Sequence, residues 1–190
     1  MRIIAGAWKG RALQTPPGDT TRPTADRVRQ ALFDMLLHAP WGGRATIEGA
    51  RVLDVFAGTG AFGLEALSRG AAFATFIEQD RAALVALRAN IVRLRAVDRS
   101  SVLASDALAA ATLAASGRTP CSLVFLDPPY GGDLVPRALA LLSAHGWIAS
   151  GALIIAETAR AEPPLDADLL AERTHGAARI SVWRTLIRSP

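Results

Sequence analysis

The run LVFLDPPYGG, residues 123–132, carries the side chains best placed to do chemistry. Four apolar residues lead into Asp127, Pro128, Pro129 and Tyr130, and two glycines follow. A buried strand has no packing reason to end this way. Proline has no N–H and a fixed φ, so the turn is stiff and its carbonyls stay free to face a ligand. A carboxylate beside free carbonyls is an acceptor-only pocket, which suits an amino group. Tyr130 adds a flat face for stacking a ring. The four residues fit a planar base whose exocyclic amine points at Asp127. A Pro-stiffened surface loop is the bland alternative.

A second motif lies upstream. VLDVFAGTGAFG, residues 52–63, sets Gly58, Gly60 and Gly63 at G-x-G-x-x-G spacing between an apolar run and a helical pattern. Such a turn lets a ligand approach the backbone closely. Glu78 follows Gly58 by 20 residues and ends the next apolar run, where a carboxylate can accept from both ribose hydroxyls. Together they indicate a nucleoside-containing cofactor. A dinucleotide would set a pyrophosphate at the helix start. S-adenosylmethionine is cationic instead. Asp54, beside the loop, favours the cation by charge complementarity and leaves the dinucleotide as competitor. Asp106 offers an acceptor for the adenine amine, or merely caps a helix. Phe56, Ala57 and Gln79 flank these positions and join the expected cofactor set.

The elements that must hold these residues read as an alternation. Strand patterns at 51–56, 74–78, 101–105, 122–127 and 152–157 are separated by helical ones at 60–70, 80–94, 107–115 and 134–145. Near-continuous apolar strands between helices mean a parallel sheet covered on both faces. In such a sheet ligands bind beyond the carboxyl ends of the strands, which puts Asp127 and Gly58 at one crevice. The tail around His175-Gly176 reads as an antiparallel finish. A further helix begins near Thr24, a plausible N-cap. Residues 2–14 read as a β-hairpin. The expected organisation is a basic hairpin and loop over 1–23, then one α/β domain over 24–190.

Charge is unevenly placed. Residues 1–30 hold six bases against two acids, which accounts for the whole net charge of +4. A localised basic segment suits a polyanion such as nucleic acid. Trp8 among those bases could stack on a nucleotide or pack the hairpin onto the domain. The single cysteine, Cys121, allows no internal disulfide, and the three histidines show no ligand spacing. No metal is expected. No apolar run is long enough to span a bilayer, and no signal peptide is legible. A cytoplasmic protein is expected.

These residues resemble a known family. LDVFAGTGAFGLEALSRGA paired with FLDPPY looks like class I S-adenosylmethionine-dependent methyltransferases acting on exocyclic amines. RIIAGAWKGRAL and RPTADRVRQALFDML narrow this to the RsmD family, the 16S rRNA (guanine-N2)-methyltransferases. The resemblance covers nearly the whole chain. It implies a doubly wound, mostly parallel seven-stranded Rossmann-like sheet with a small N-terminal β extension. It implies 16S rRNA, in the small ribosomal subunit or a late precursor, as partner of a monomeric enzyme. It also implies cofactor contacts by Asp54, Phe56, Ala57, Gly58, Gly60, Glu78, Gln79, Asp106 and Thr24. Catalysis falls to Asp127, Pro128, Pro129 and Tyr130, and RNA binding to Arg2, Trp8, Lys9, Arg11 and Arg22. The family often has Phe where Tyr130 stands, and Gln30 replaces a common acid.

Other readings stay open. Adenine-N6 methyltransferases also use D-P-P-Y, though little chain remains for a DNA-reading domain. A protein glutamine methyltransferase typically has Asn at the position of Asp127. A dinucleotide oxidoreductase conflicts with Asp54. A non-catalytic RNA-binding module conflicts with an intact cofactor loop.

Overall fold

A computed structural model describes residues 1–16, 23–109 and 119–185. Seven strands form one sheet: β1 (Arg51–Val55), β2 (Phe73–Glu78), β3 (Ser100–Ala104), β4 (Cys121–Leu126), β5 (Ile148–Ala159), β6 (Leu169–His175) and β7 (Ala178–Arg184). Their order is β3-β2-β1-β4-β5-β7-β6. The first five strands pair in parallel, and β7 pairs antiparallel with both β5 and β6. This is the expected α/β class with its antiparallel finish. β5 is longer than its apolar run, because a register shift against β4 adds residues before Leu153.

Successive side chains on a strand point to opposite faces, and both faces are filled. Val52, Phe76, Phe125 and Ile155 meet one helical layer, and Leu53, Val55, Val124 and Ile154 meet the other. The first layer holds α1 (Pro23–His38), α2 (Ala61–Ser68) and α3 (Arg81–Arg93) through Phe33, Leu64 and Leu87. The second holds α4 (Leu134–Ala144) through Val135, Ala138 and Leu142. Burying each such side chain contributes about 1.5–3 kcal/mol, so this double-sided packing fixes the sheet. The expected helix over 107–115 lies mostly outside the described residues.

Two local expectations change. Pro23 occupies the first position of α1, so Thr24 is inside the helix rather than its cap. Proline suits that position because the first N–H groups of a helix have no partner anyway. The front segment pairs antiparallel only around Arg2 and Ala12, with a short 3-10 turn at Gly6–Trp8. Ile3, Trp8 and Leu13 enter the same apolar cluster as the sheet. The buried Glu65 of α2 clamps this segment, accepting the N–H groups of Ile4 at 2.7 Å and Ala5 at 3.0 Å. The guanidinium of Arg69 donates to the same carboxylate at 2.7 Å, and that of Arg29 lies 3.8 Å away. Among the described residues no helix is long and apolar enough to cross a membrane.

Candidate active site

Three carboxylates converge at the carboxyl ends of the strands. Asp54 is near the end of β1, Glu78 ends β2, and Asp127 follows β4. The loop from β1 to α2 is built around them. Phe56 has φ 60°, a left-handed conformation that costs a non-glycine residue roughly 1–3 kcal/mol. Gly58 has φ 54°, and a Cβ there would meet only open space. Backbone conformation and ligand approach therefore explain this glycine. Gly63 has another reason: a Cβ would strike the Phe76 ring, so it permits close packing of α2 on β2. Gly60 is the left-handed cap of α2.

Glu78 organises the loop. Its Oε2 accepts the Gly58 N–H at 2.7 Å, and its Oε1 accepts those of Gln79 at 2.8 Å and Asp80 at 2.7 Å. A carboxylate offers about four acceptor sites, so roughly one remains for a ligand hydroxyl. Asp54 is buried, and its Oδ2 accepts the Gly63 N–H at 2.8 Å in the first turn of α2. Burial pushes its pKa up to about 8; the Gly63 bond opposes the shift, and Asp127 and Glu78 reinforce it.

Asp127 links two cavities. One is lined by Phe56, Ile77, Glu78, Gln79, Asp80, Ser105, Ala107, Asp127 and Pro129. Its acids, with no basic side chain among the described residues that line it, fit a cation and oppose a pyrophosphate. The other joins Asp127 to Glu157 of β5 and to apolar walls that include Phe62 and Phe125. Those two rings stack with centroids 5.3 Å apart. Desolvation, then the Glu157 charge, pushes the Asp127 pKa up to about 7, although the residue opens to solvent at the crevice. Tyr130 is 53% exposed, and its hydroxyl donates to Glu157 Oε1 at 2.9 Å.

The remaining expected residues spread more widely. Pro128 is buried and Pro129 exposed beside Asp127. Ala57 is packed in the core, so only its backbone can face the loop. Asp106 is exposed, and its Oδ1 accepts the Leu108 N–H at 2.9 Å in a local turn. Arg22 lies outside the described residues, as does the side chain of Thr24.

Trp8 requires a correction. It is 8% exposed, its backbone N–H donates to Ser68 Oγ at 3.0 Å, and the Arg99 guanidinium covers its ring at 5.2 Å. The ring packs the segment onto the domain and is closed to a nucleotide. Ser68 ends α2, which starts at the glycine loop and runs back along the sheet. The turn carrying Lys9 is therefore at the end of the domain remote from Asp127. Arg2, Lys9 and Arg11 are exposed.

Glu157 was not anticipated. Its signal was present in ALIIAE, an apolar run ending on an acid as LVFLD does. Glu162 was also missed; its Oε1 accepts the Gly131 N–H at 3.0 Å and steadies the loop after Tyr130.

Known proteins share this architecture. Residues 1–184 match the family described as "Conserved hypothetical protein 95". Over 158 residues the chain is 46% identical to "Ribosomal RNA small subunit methyltransferase D" of Escherichia coli strain K12, covering 83% of this chain and 74% of that one. The solved structure of the Escherichia coli protein yhhF superposes with a TM-score of 0.81 at 40% identity, covering 99% of both chains. A crystal structure of SMU.776 complexed with SAH shares the fold at a TM-score of 0.58 and 15% identity, over 84% of this chain and 48% of that one.

Proposed function

The chain belongs to the conserved hypothetical protein 95 family, the RsmD methyltransferases, and from that premise we propose that it methylates the N2 amine of a guanine in 16S rRNA. The methyl donor is S-adenosylmethionine, and the substrate is the small ribosomal subunit or a late precursor. The observation that carries this reading is Asp127, which belongs at once to an acid-lined cavity beside Gly58 and to a second, apolar pocket walled by Phe62 and Phe125. The SAH complex of SMU.776 and the name of the Escherichia coli relative point the same way.

Asp54 and Glu78 would hold the cationic donor, with the backbone of Gly58 and Gly60 beside it. Glu78 retains room for one ribose hydroxyl, while Phe56, Gln79 and Asp106 border the adenosine. When bound, S-adenosylmethionine would supply an electrophilic methyl carbon to the amine lone pair and keep the electrons of the broken C–S bond as the neutral thioether. Asp127 and the free carbonyls of the Pro128–Pro129 turn accept the amine hydrogens and aim that lone pair. This matters because an aryl amine delocalises its lone pair into the ring. Tyr130 stacks on the base, and Asp127 or water takes the released proton. Positioning does most of the work, and no metal or covalent enzyme intermediate is required.

Residues 1–23 act as a basic extension to the domain over 24–190, with Arg2, Lys9, Arg11 and Arg22 on phosphates. The enzyme acts as a cytoplasmic monomer. The test is transfer of labelled methyl to small subunits lacking the modification, with naked 16S rRNA and duplex DNA in parallel. N2-methylguanosine from the subunit supports the reading. N6-methyladenine, or label in DNA alone, overturns it.

A further inference from the structure

The pocket beyond Asp127 holds a second carboxylate. The register pairs Leu126 of β4 with Ala156 of β5, so the next residues of these parallel strands, Asp127 and Glu157, are neighbours at the sheet's carboxyl end. Both line one cavity whose other walls include Leu32, Phe62, Phe125 and Ile155. No base lines it. Tyr130 O–H donates to Glu157 Oε1 at 2.9 Å, and among the described residues nothing donates to Oε2. The hydroxyl contact also fixes how the carboxylate is turned.

Two adjacent acceptors in an apolar setting select a ligand by its pattern of donors. Guanine presents N1–H directly beside its N2 amino group, so two donors stand together. Adenine presents N6–H beside N1, a lone pair that would face a carboxylate. A buried acceptor left against another acceptor loses its hydrogen bond and its solvation at once.

We propose that Glu157 accepts the N1–H of the target guanine while Asp127 accepts the N2 amine, so that this carboxylate pair selects the base. The inference rests on the function proposed above and adds the residue that sets its specificity. Glu157 is a specificity residue here, and Tyr130 positions it as well as stacking.

The test uses small subunits reconstituted with 16S rRNA carrying 2-aminopurine in place of the target guanine. That base keeps the amine but has a bare N1. The wild-type enzyme should disfavour it by about 10²-fold or more in kcat/KM, as polar sites reject ligands lacking the matching group. Glu157→Gln can turn an amide N–H toward N1, so the discrimination should fall to roughly 10-fold or less. Calorimetric binding of S-adenosylmethionine checks that the variant is folded. Equal losses on guanine and 2-aminopurine, with discrimination unchanged, would overturn the role of Glu157 while leaving guanine-N2 methylation standing. Absence of N2-methylguanosine from the wild-type reaction would instead overturn the functional reading beneath it.

Discussion

The Glu78 carboxylate holds the Gly58 N–H at 2.7 Å across 20 residues of sequence. One side chain at the end of β2 thereby sets the glycine loop at the end of β1. Glu78→Ala should free three N–H groups and loosen the loop. We expect S-adenosylmethionine affinity to fall by about 10–100-fold, with roughly 1–3 kcal/mol lost from stability. Calorimetric titration and denaturant unfolding check the two effects separately.

Asp54 and Asp127 both have raised pKa values, about 8 and about 7 against an ordinary 3.8. The folded state therefore binds these protons more tightly than the unfolded state does. Their stabilising contribution is complete below about pH 4 and is lost as pH rises toward 8. The free protein should melt at a lower temperature at pH 9 than at pH 6. A bound cation favours the ionised forms, so the gain in Tm from S-adenosylmethionine should grow over the same range. Asp54→Asn should flatten the profile of the free protein.

The ionised form of Asp127 is the better acceptor for an amine. The value of kcat/KM, which reports the free enzyme, should rise with pH and level off above about 7. An activity that falls across this range would conflict with the assigned role.

Tyr130 has two separable parts. Tyr130→Phe loses only the hydroxyl contact to Glu157 and should be mild for turnover. Tyr130→Ala loses the stacking face and should weaken base binding by roughly 1–3 kcal/mol. Steady-state kinetics on small subunits distinguish them, the second variant showing the larger rise in KM.

Glu65 gathers two backbone N–H groups and the Arg69 guanidinium in a buried site. Glu65→Ala leaves buried cations and donors without their acceptor. A loss of about 3–5 kcal/mol is expected in urea unfolding. Limited proteolysis should then cut first within residues 1–16.

Much of the fold was legible because its signals are local. Asp127 was legible because an acid at the end of an apolar run has no packing reason to be there, and Asp54 and Glu78 because they stand at set distances from the glycine turn. Glu157 carries the same mark but lacked a motif beside it, and its partner Tyr130 is 27 residues away. The side of Trp8 was not legible, since it is decided by Ser68, 60 residues on. Thr24 was misread because two N-terminal signals stand side by side and Pro23 prevails. Nothing local in the sequence marks Glu65. Only the docking of residues 1–16 makes it a buried hub.

The central claim is that Asp127 aims an amine at a bound methyl donor. The most direct measurement pairs S-adenosylmethionine calorimetry with single-turnover methyl transfer for Asp127→Ala on small subunits. The account predicts cofactor binding within a few-fold of wild type and transfer slower by about 10²–10³-fold, the scale of losing one group that acts in the transition state. Transfer at the wild-type rate with intact binding would contradict it and move the amine pocket elsewhere.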